Sequence, residues 1–380
     1  MQSREGFVLA SYGDPESRKT WSGTPYNLMT AFRRLGYPVS GINSLTDNNL
    51  VKASQLAVHK VRYPTTNFRI GPVARGHSAG RVVRAASGFP KVLHTSLYHL
   101  PLRNPPPGQE QYLYLDFTWD LEMNSGFDPT QGDPPPFSKD GQVVEDLNKA
   151  AYAQMTHFFC ISDFVRDNLV RHYRISPEKI TVVGTGINME FLQPVPPKDY
   201  TKREILFSSK IIGGWEYKGG ALLLEAFQLA RQQVPDLKLT LVGLDEYAER
   251  AKDVPGVTAH GYVSWEELLA LFRGATLFAM PALREPWGLV YLEALACQTP
   301  ILGLNRLAFP EISGHGQYGF MAAEATPKAV AQAIVEAVSD PKRLQQMGEA
   351  GRKRCQDHFT WDHVATTIAG KMGIAPTNAE

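Results

Sequence analysis

Short apolar runs alternate with longer amphipathic stretches along almost the whole chain. Each apolar run is short enough for one buried strand, and each amphipathic stretch is long enough for a helix of about ten residues or more. A regular succession of strands and helices is typical of parallel βα units, so the sequence predicts an α/β fold. The predicted strands lie at residues 7–11, 39–45, 92–97, 111–115, 157–161, 180–183, 205–208, 238–242, 257–260, 277–280 and 300–304.

Several helix starts are marked by capping residues. Ser264 is followed three residues later by Glu267, which is the spacing of a capping box. Thr326 and Asp340 each precede a proline, so each can cap a helix whose first residue has the fixed backbone angle of proline. These signals predict helices that begin directly after the three capping residues.

The length of 380 residues suggests two or three domains, at about 150 residues per domain. A proline-rich segment, 193–198, follows the sixth predicted strand, and the seventh strand begins soon afterwards. We therefore expect a first domain over residues 1–192, a linker over 193–203 and a second domain over 204–359.

Charge is nearly balanced overall but segregated within the first half of the chain. Lys and Arg number 39 against 38 Asp and Glu, which argues against a general nucleic-acid-binding protein, since such proteins carry strongly basic domains. Residues 48–109 nevertheless contain nine Lys or Arg and no Asp or Glu, whereas 110–146 contain nine acids and one lysine. The basic stretch, which includes Arg75, Arg81 and Arg84, either is a solvated surface or faces an anionic acceptor or an anionic membrane.

The cysteines and the apolar runs bear on the compartment. Three widely spaced cysteines give neither a disulfide framework nor a paired-cysteine zinc site, so a reducing compartment is expected. The first residues lack the layout of a signal peptide, and no apolar run is long enough to span a membrane. We expect a cytoplasmic protein and leave peripheral contact with a membrane open.

Common nucleotide and metal motifs are absent from the sequence. The nearest approach to a dinucleotide fingerprint, at 184–186, lacks its third glycine, and the segment 213–220 has no Ser or Thr after its lysine, as a Walker loop requires. Asp120 and Glu122 have no evident partner for a divalent metal. We therefore predict no metal site and no bound cofactor.

Two glutamates frame a loop that leads into a predicted helix. Residues 285–293 read Glu-Pro-Trp-Gly-Leu-Val-Tyr-Leu-Glu, directly after a predicted strand. Backbone N–H groups of Gly288, Leu289 and Val290 at the helix start can bind phosphate oxygens with the help of the helix dipole. Glu293 would lie inside the helix, where it can accept hydrogen bonds from sugar hydroxyls. Capping alone would also explain acids in these places.

The two glutamates resemble the E-x7-E motif of the GT4 retaining glycosyltransferases, which have the GT-B fold. Further segments are similar to that family in the same order along nearly the whole chain: 21–28, 161–164, 178–187, 215–220, 310–312 and 359–361. The resemblance implies an α/β fold with two Rossmann-like parallel-sheet domains facing each other across a cleft. Residues 360–380 would pack back on the first domain.

The resemblance also implies an activity. The chain would transfer a hexose from a nucleoside-diphosphate sugar, with UDP-sugars favoured over GDP-sugars, to a hydroxyl of a glycan, lipid or small molecule. The anomeric configuration would be retained, and no metal ion or nucleic acid would take part. Glu285 would bind hydroxyls of the donor sugar, Gly288, Leu289 and Val290 the diphosphate, and Glu293 the ribose. Lys218 would neutralise the departing diphosphate.

Elsewhere the resemblance is partial. Gly23 would let the backbone come close to the donor, and the backbone at Val263 would meet the nucleobase. The arginine that the family usually has five residues before the lysine is absent, and Lys210 is our candidate for the second positive charge. Many members present a histidine after a first-domain strand, where this chain has Asp116, which we expect to contact the reacting sugar or the acceptor. His94 is expected to be buried or to line the cleft rather than to act as a base.

Two other functions stay open from the sequence. A nucleotide-sugar epimerase or hydrolase of the same architecture would use the same donor residues, and release of free sugar without an acceptor would reveal it. A noncatalytic nucleotide-sugar sensor would bind the donor but would not need Asp116.

Overall fold

Two six-stranded parallel sheets, one in each half of the chain, have buried apolar strands at their centres and more exposed strands at their edges. The computed structural model describes residues 5–63, 71–124, 136–192, 196–209 and 214–377. Its contacts divide the chain into a first unit, up to Gly186 and again from Trp361 onward, and a second unit, Ile187–Thr360. The predicted two-domain α/β fold is confirmed.

The first unit has the strand order β2-β1-β3-β4-β5-β6. Its strands are β1 (Phe7–Ser11), β2 (Val39–Asn43), β3 (Lys91–His94), β4 (Glu110–Leu115), β5 (His157–Cys160) and β6 (Ile180–Val182). Its helices are α1 (Thr24–Arg34), α2 (Asn49–Arg62), α3 (Pro72–Ala85), α4 (Trp119–Asn124), α5 (Lys139–Tyr152), α6 (Asp163–Arg171) and, at the far end of the chain, α15 (Trp361–Lys371). Since strand order reverses direction at β1, the fold opens a crevice at the carboxyl ends of β1 and β3.

The second unit has the strand order β12-β11-β10-β7-β8-β9. Its strands are β7 (Glu204–Ser209), β8 (Lys238–Gly243), β9 (Val257–His260), β10 (Leu277–Ala279), β11 (Ile301–Leu304) and β12 (Gly319–Ala322). Its helices are α7 (Gly214–Tyr217), α8 (Gly220–Gln233), α9 (Glu246–Ala251), α10 (Trp265–Gly274), α11 (Leu289–Ala296), α12 (Phe309–Ile312), α13 (Pro327–Ser339) and α14 (Pro341–His358). Here the order reverses at β7, so the equivalent crevice lies at the carboxyl ends of β7 and β10.

The capping residues act as the sequence predicts. The Ser264 hydroxyl accepts from the backbone N–H of Glu267, whose carboxylate accepts from the backbone N–H of Ser264. Thr326 and Asp340 cap α13 and α14 through their side chains. One strand, β12, was not predicted.

Helix α15 packs against α1 of the first unit, although the whole second unit precedes it in the chain. The indole ring of Trp361 lies so close to Gly186 that a Cβ on this glycine would come within 2.4 Å of it. The guanidinium of Arg34 pairs with Asp362, and the Thr377 backbone N–H donates to the carbonyl of Gly36 over 2.8 Å. The end of the described chain is thus part of the first unit's core and surface.

The basic stretch is not one continuous surface. Arg75 is buried, and its guanidinium donates to the carbonyl of Leu97 over 2.9 Å and to Asn148 over 2.7 Å. Burial lowers the pKa of Arg75 to about 10, which leaves this arginine charged at neutral pH. Both interpretations of the basic stretch counted Arg75 as an accessible cation, and for this buried residue that was wrong, whereas Arg84 is exposed. In the described parts of the chain, no helix is long and apolar enough to cross a membrane.

Candidate active site

Lys218 and Glu285 meet at the crevice of the second sheet. Lys218 follows α7 after β7, and Glu285 lies in the loop after β10, so the strand-order reversal brings the two segments together. The Lys218 Nζ lies 2.5 Å from Glu285 Oε2, and the two side chains are only 9% and 16% exposed. A buried ammonium without a counter-charge would be costly, so the carboxylate stabilises the charged lysine at this position.

The backbone around this pair is tightly constrained. The carbonyl of Tyr217 accepts hydrogen bonds from the N–H groups of Leu283 and Arg284, over 2.8 and 3.1 Å. Gly219 has a left-handed φ of 80°, and a Cβ there would lie 2.1 Å from the carbonyl oxygen of Pro281. The segment that carries the lysine and the loop that carries the glutamate are therefore locked to each other by backbone contacts.

Helix α11 begins directly beside Glu285. Gly288 is its N-cap residue, and because glycine has no side chain it contributes no capping group. Gly288, Leu289 and Val290 are partly exposed, which leaves the start of the helix open to an anion. The hydroxyl of the buried Tyr291 donates to the carbonyl of Met280 over 2.5 Å and so anchors the helix to the end of β10. Glu293, farther along α11, is partly buried.

Val263 and Lys210 are the other donor residues that were predicted in the second unit. Val263 follows β9, is partly exposed, and stands next to the highly exposed Tyr262. Lys210 lies outside the described residues, as does the position of the missing family arginine. The structure thus brings Lys218 and Glu285 into contact and places the start of α11 beside them.

A separate cavity of about 350 Å³ opens at the crevice of the first sheet. It is lined by the last residues of β1 and β4, by residues that follow β1, β3 and β4, and by Trp21 and Glu122. Four of its lining residues are Trp or Tyr and two are carboxylates, namely Tyr12, Trp21, Tyr98, Tyr114, Asp116 and Glu122. Among the described residues that line it, none is Lys, Arg or His. The cavity therefore combines aromatic faces with negative charge.

Asp116 is held in this cavity by Trp21. The indole Nε1–H donates to Asp116 Oδ2 over 3.2 Å, and the Trp21 ring lies 5.9 Å from the ring of Tyr114, centroid to centroid. Gly23, two residues further on, is buried at the N-cap of α1. The glycine segment thus positions the acid that the sequence singled out, rather than acting only as a turn.

Tyr98 also lines the cavity and contacts two other lining residues. Its hydroxyl donates to Glu122 Oε2 over 3.4 Å, and its ring contacts that of Tyr12 edge to face. Burial and the nearby Glu122 carboxylate raise the pKa of Tyr98 well above its usual range, so the phenol stays protonated. Trp21 and Tyr98 were not predicted as site residues, although Trp21 lies shortly before α1 and Tyr98 lies shortly after β3.

His94 is fully enclosed in the first sheet, as expected for a residue that is not a base. Its Nε2 lies 2.9 Å from Gln111 Oε1, and burial lowers its pKa to about 4. The neighbouring His99 is also buried, and burial lowers its pKa well below the usual value. Elsewhere in the described segments, no group of three His, Cys, Asp or Glu side chains is arranged to hold a metal ion.

Comparison with known families accounts for most of the chain. The family described as Glycosyltransferase Family 4 matches residues 24–191, and the family described as Glycosyl transferases group 1 matches residues 188–354. The chain belongs to the GT4 glycosyltransferases. The resemblance drawn from the two glutamates and the lysine segment is thereby confirmed.

Relatives and solved structures agree with this family. Alpha-maltose-1-phosphate synthase of Mycolicibacterium smegmatis is 28% identical over 255 residues, which cover 59% of this chain and 64% of the relative. This chain spans about half to two thirds of the length of the curated relatives that it matches.

Two solved structures share the fold of this chain over nearly its whole length. Sucrose-phosphate synthase from Thermosynechococcus elongatus is 18% identical with a TM-score of 0.69, covering 97% of this chain and 98% of the other. Anabaena HepE, solved in complex with UDP and glucose, is 14% identical with a TM-score of 0.63, covering 97% of this chain and all of the other. At these identities the likeness concerns the fold, and the predicted GT-B fold is confirmed.

Proposed function

We propose that this chain is a retaining, metal-independent glycosyltransferase that moves a hexose from a UDP-sugar to a hydroxyl of an uncharged acceptor. The observation that carries the proposal is the enclosed Lys218–Glu285 pair beside the start of α11, at the crevice of the second sheet. A cation and the N–H groups at a helix start can bind the phosphate oxygens of a sugar diphosphate, and a carboxylate can bind its sugar hydroxyls.

Departure of the nucleoside diphosphate builds negative charge on its phosphate oxygens. Lys218 and the backbone N–H groups of Gly288, Leu289 and Val290 would stabilise that charge without a metal ion, because they are already in place before the bond breaks. A positively charged Lys210 would add to this effect.

Glu285 has two partners in turn under this proposal. In the structure its carboxylate neutralises Lys218. When the donor binds, the diphosphate takes over that role, and the carboxylate is released to bind sugar hydroxyls. Glu293 would bind the ribose and the backbone at Val263 the nucleobase. HepE was solved with UDP, and its fold likeness supports UDP as the nucleotide to test first.

The first-unit cavity is proposed as the place where Asp116 acts. Aromatic faces and hydroxyl groups suit a sugar or another polyol, which presents both C–H surfaces and hydrogen-bonding groups. Asp116 and Glu122 would repel a phosphorylated acceptor, and no described lining residue offers a cation to offset them. The favoured acceptor is therefore uncharged.

A thermal-shift panel of UDP, GDP, ADP and their sugar conjugates, each with and without EDTA, tests the donor site. A ligand at 100 times its Kd should add about 2.7 kcal/mol to the free energy of unfolding. We expect a shift that is selective for UDP, insensitive to EDTA and abolished in Lys218→Ala, whereas the exposed-site control Lys202→Ala keeps it. No shift with any nucleotide would refute the donor site.

Product analysis tests the reaction. Incubation of the matching UDP-sugar with neutral disaccharides should give a glycoside with the same anomeric configuration as the donor, as read from the anomeric proton in NMR. Phosphorylated versions of the same disaccharides should react at least tenfold more slowly. Free sugar without acceptor would instead identify a hydrolase, and an inverted product would refute retention.

A further inference from the structure

The segment 116–122 presents some of its residues to the first-unit cavity and others to the interior of the first unit. Asp116, Phe117 and Glu122 line the cavity, whereas Thr118 between them is fully buried. The two carboxylates that an acceptor would meet therefore belong to one short stretch of chain. Their positions depend on the contacts that hold the middle of this segment.

Helix α6 begins close to this segment. Strands β4 and β5 pair in parallel, with Leu115 opposite Cys160, so the residues that follow the two strands leave the same edge of the sheet. The Ser162 hydroxyl then caps α6 by accepting from the backbone N–H of Val165 over 3.2 Å. The start of α6 is thus determined by the sheet, and the helix brings Asn168 to the segment.

The Asn168 carboxamide bonds two residues of the segment at once. The Thr118 hydroxyl donates to Asn168 Oδ1 over 2.6 Å, and Asn168 Nδ2 donates to Asp120 Oδ2 over 2.6 Å. The Thr118 oxygen also accepts from the backbone N–H of Leu121 over 3.2 Å. Because a carboxylate only accepts, these bonds run in one direction, from the backbone of α4 through Asn168 to Asp120. An ordered chain of this kind strengthens each of its hydrogen bonds.

Other contacts also anchor the segment. The Trp119 Nε1–H donates to the carbonyl of Gly141 over 3.2 Å, and the Tyr173 hydroxyl accepts from the backbone N–H of Asp120 over 3.1 Å. Asn168 differs from these partners because it bonds side chains on both sides of Trp119. Loss of the Asn168 bonds should therefore shift the segment while the other contacts keep the first unit folded.

We infer that Asn168 is a positioning residue for the acceptor. Thr118 stands two residues after Asp116, and Asp120 stands two residues before Glu122. By binding the side chains of Thr118 and Asp120, Asn168 determines where the cavity presents its two carboxylates. The inference rests on the proposed function, in which an acceptor enters this cavity and Asp116 takes part in the reaction.

Asn168→Asp tests the inference with little change in shape. A carboxylate at position 168 would face that of Asp120 at hydrogen-bond distance, and the two like charges would repel each other. We expect kcat/KM for a neutral disaccharide acceptor to fall about tenfold to 100-fold, since a displacement of about 1 Å can have an effect of this size. KM for the UDP-sugar should stay unchanged, because the proposed donor residues Lys218 and Glu285 belong to the second unit. The control Asn49→Asp, which adds the same charge at an exposed position of the first unit, should leave both quantities unchanged.

Asp120→Asn supplies the rescue. In the double variant the amide and the carboxylate exchange places, so the amide at position 120 can donate to the carboxylate at position 168, which still accepts from Thr118. The acceptor kcat/KM should return to within about threefold of its value in the unchanged chain, because the two residues act through one hydrogen bond. Such a recovery would identify the contact itself as the cause of the loss.

Thr118→Val is a second variant with no change in charge. It keeps the shape of the side chain but removes the hydroxyl that bonds Asn168. The acceptor kcat/KM should fall about fivefold at unchanged KM for the UDP-sugar, as expected for the loss of one neutral hydrogen bond. Thermal melting of every variant verifies folding.

Three results would overturn the inference while leaving the proposed function in place. They are an unchanged acceptor kcat/KM in both Asn168→Asp and Thr118→Val, a KM for the UDP-sugar that rises as much as that for the acceptor, and a folded double variant that is no more active than Asn168→Asp. Absence of transfer by the unchanged chain would instead refute the proposed function and, with it, the role of Asn168.

Discussion

The indole Nε1–H of Trp21 donates to Asp116 Oδ2 over 3.2 Å and so joins the segment before α1 to the loop after β4. Trp21 has a left-handed φ of 40°, which costs a non-glycine residue about 1–2 kcal/mol. Such a conformation persists only where surrounding contacts hold it. The hydrogen bond to Asp116 is one of these contacts, so the tryptophan and the carboxylate orient each other.

Asp116→Asn should separate binding from turnover. The variant keeps the size of the side chain and an oxygen for Trp21 but removes the charge. We expect kcat to fall about 100-fold or more, because a charged carboxylate positioned at the reacting groups can stabilise the transition state by this much more than a neutral amide can. The UDP thermal shift should stay unchanged, as should both quantities in the exposed control Asp253→Asn. Unchanged turnover would remove Asp116 from the reaction.

Trp21→Phe tests whether Trp21 acts through Asp116. The ring is kept but the N–H donor is lost, so we expect a smaller fall in kcat, about tenfold, at unchanged UDP affinity. In the Asp116→Asn background, Trp21→Phe should lower kcat by a much smaller factor than it does in the otherwise unchanged protein. Residues that share one hydrogen bond do not act independently. Additive losses in steady-state kinetics would show that Trp21 acts separately.

Lys218→Ala and Glu285→Gln should differ in their effect on UDP. Loss of the lysine should lower kcat about 100- to 1,000-fold and weaken UDP binding, since it removes charge stabilisation of the phosphate. Glu285→Gln should leave UDP binding unchanged or tighter, because a negative charge beside the phosphate site is gone, while kcat still falls. Calorimetric titration and kinetics measure both. An equal loss of UDP affinity in the two variants would contradict the exchange of partners.

Gly219→Ala and Gly108→Ala form a matched pair of backbone tests. The two glycines have φ of 80° and 77°, but a Cβ at Gly108 meets nothing within 4 Å, whereas one at Gly219 overlaps the carbonyl of Pro281. Gly108→Ala should lower the free energy of unfolding by about 1–2 kcal/mol. Gly219→Ala should cost about 1–3 kcal/mol more and weaken UDP binding, since Pro281 must move. Urea unfolding of both variants measures this difference, and equal costs would contradict it.

The buried His94 should make stability depend on pH in the acid range. Its folded pKa is about 4, whereas an unfolded histidine titrates near 6.5, so between these values only the unfolded chain binds the proton. The free energy of unfolding should therefore fall as the pH drops from about 6.5 to 4, by up to about 1.4 kcal/mol per pH unit from this group. His94→Gln should flatten that slope, and the exposed-site control His358→Gln should not. An unaltered slope in His94→Gln would be the contrary result.

The strands could be predicted from the sequence because most of them are apolar runs bounded by polar or turn residues. Every strand from β1 to β11 overlaps a predicted one. β12 was missed because its segment, Gly319–Ala322, begins with glycine and ends with alanine, two residue types that are depleted in strands. Its pairing with β11 depends on the rest of the sheet, which a local pattern cannot reveal.

Contacts between residues far apart in the chain could not be predicted from the sequence. Arg75 counts as one more cation in a basic stretch, and only the fold shows that Leu97 and Asn148 enclose it. Trp21 and Asp116 lie 95 positions apart, so nothing in the local sequence of either indicates the other. Lys218 and Glu285 were both singled out by the family resemblance, but their contact with each other was not predicted and depends on the strand order of the second sheet.

Helix α15 has a consequence for biosynthesis. Its packing on α1 belongs to the first unit, yet the ribosome makes it only after the whole second unit. Domains usually fold in the order in which they emerge. Here the unit that emerges first is completed last. During translation the surface of α1 and the backbone at Gly186 therefore stay exposed to solvent until Trp361 has left the exit tunnel.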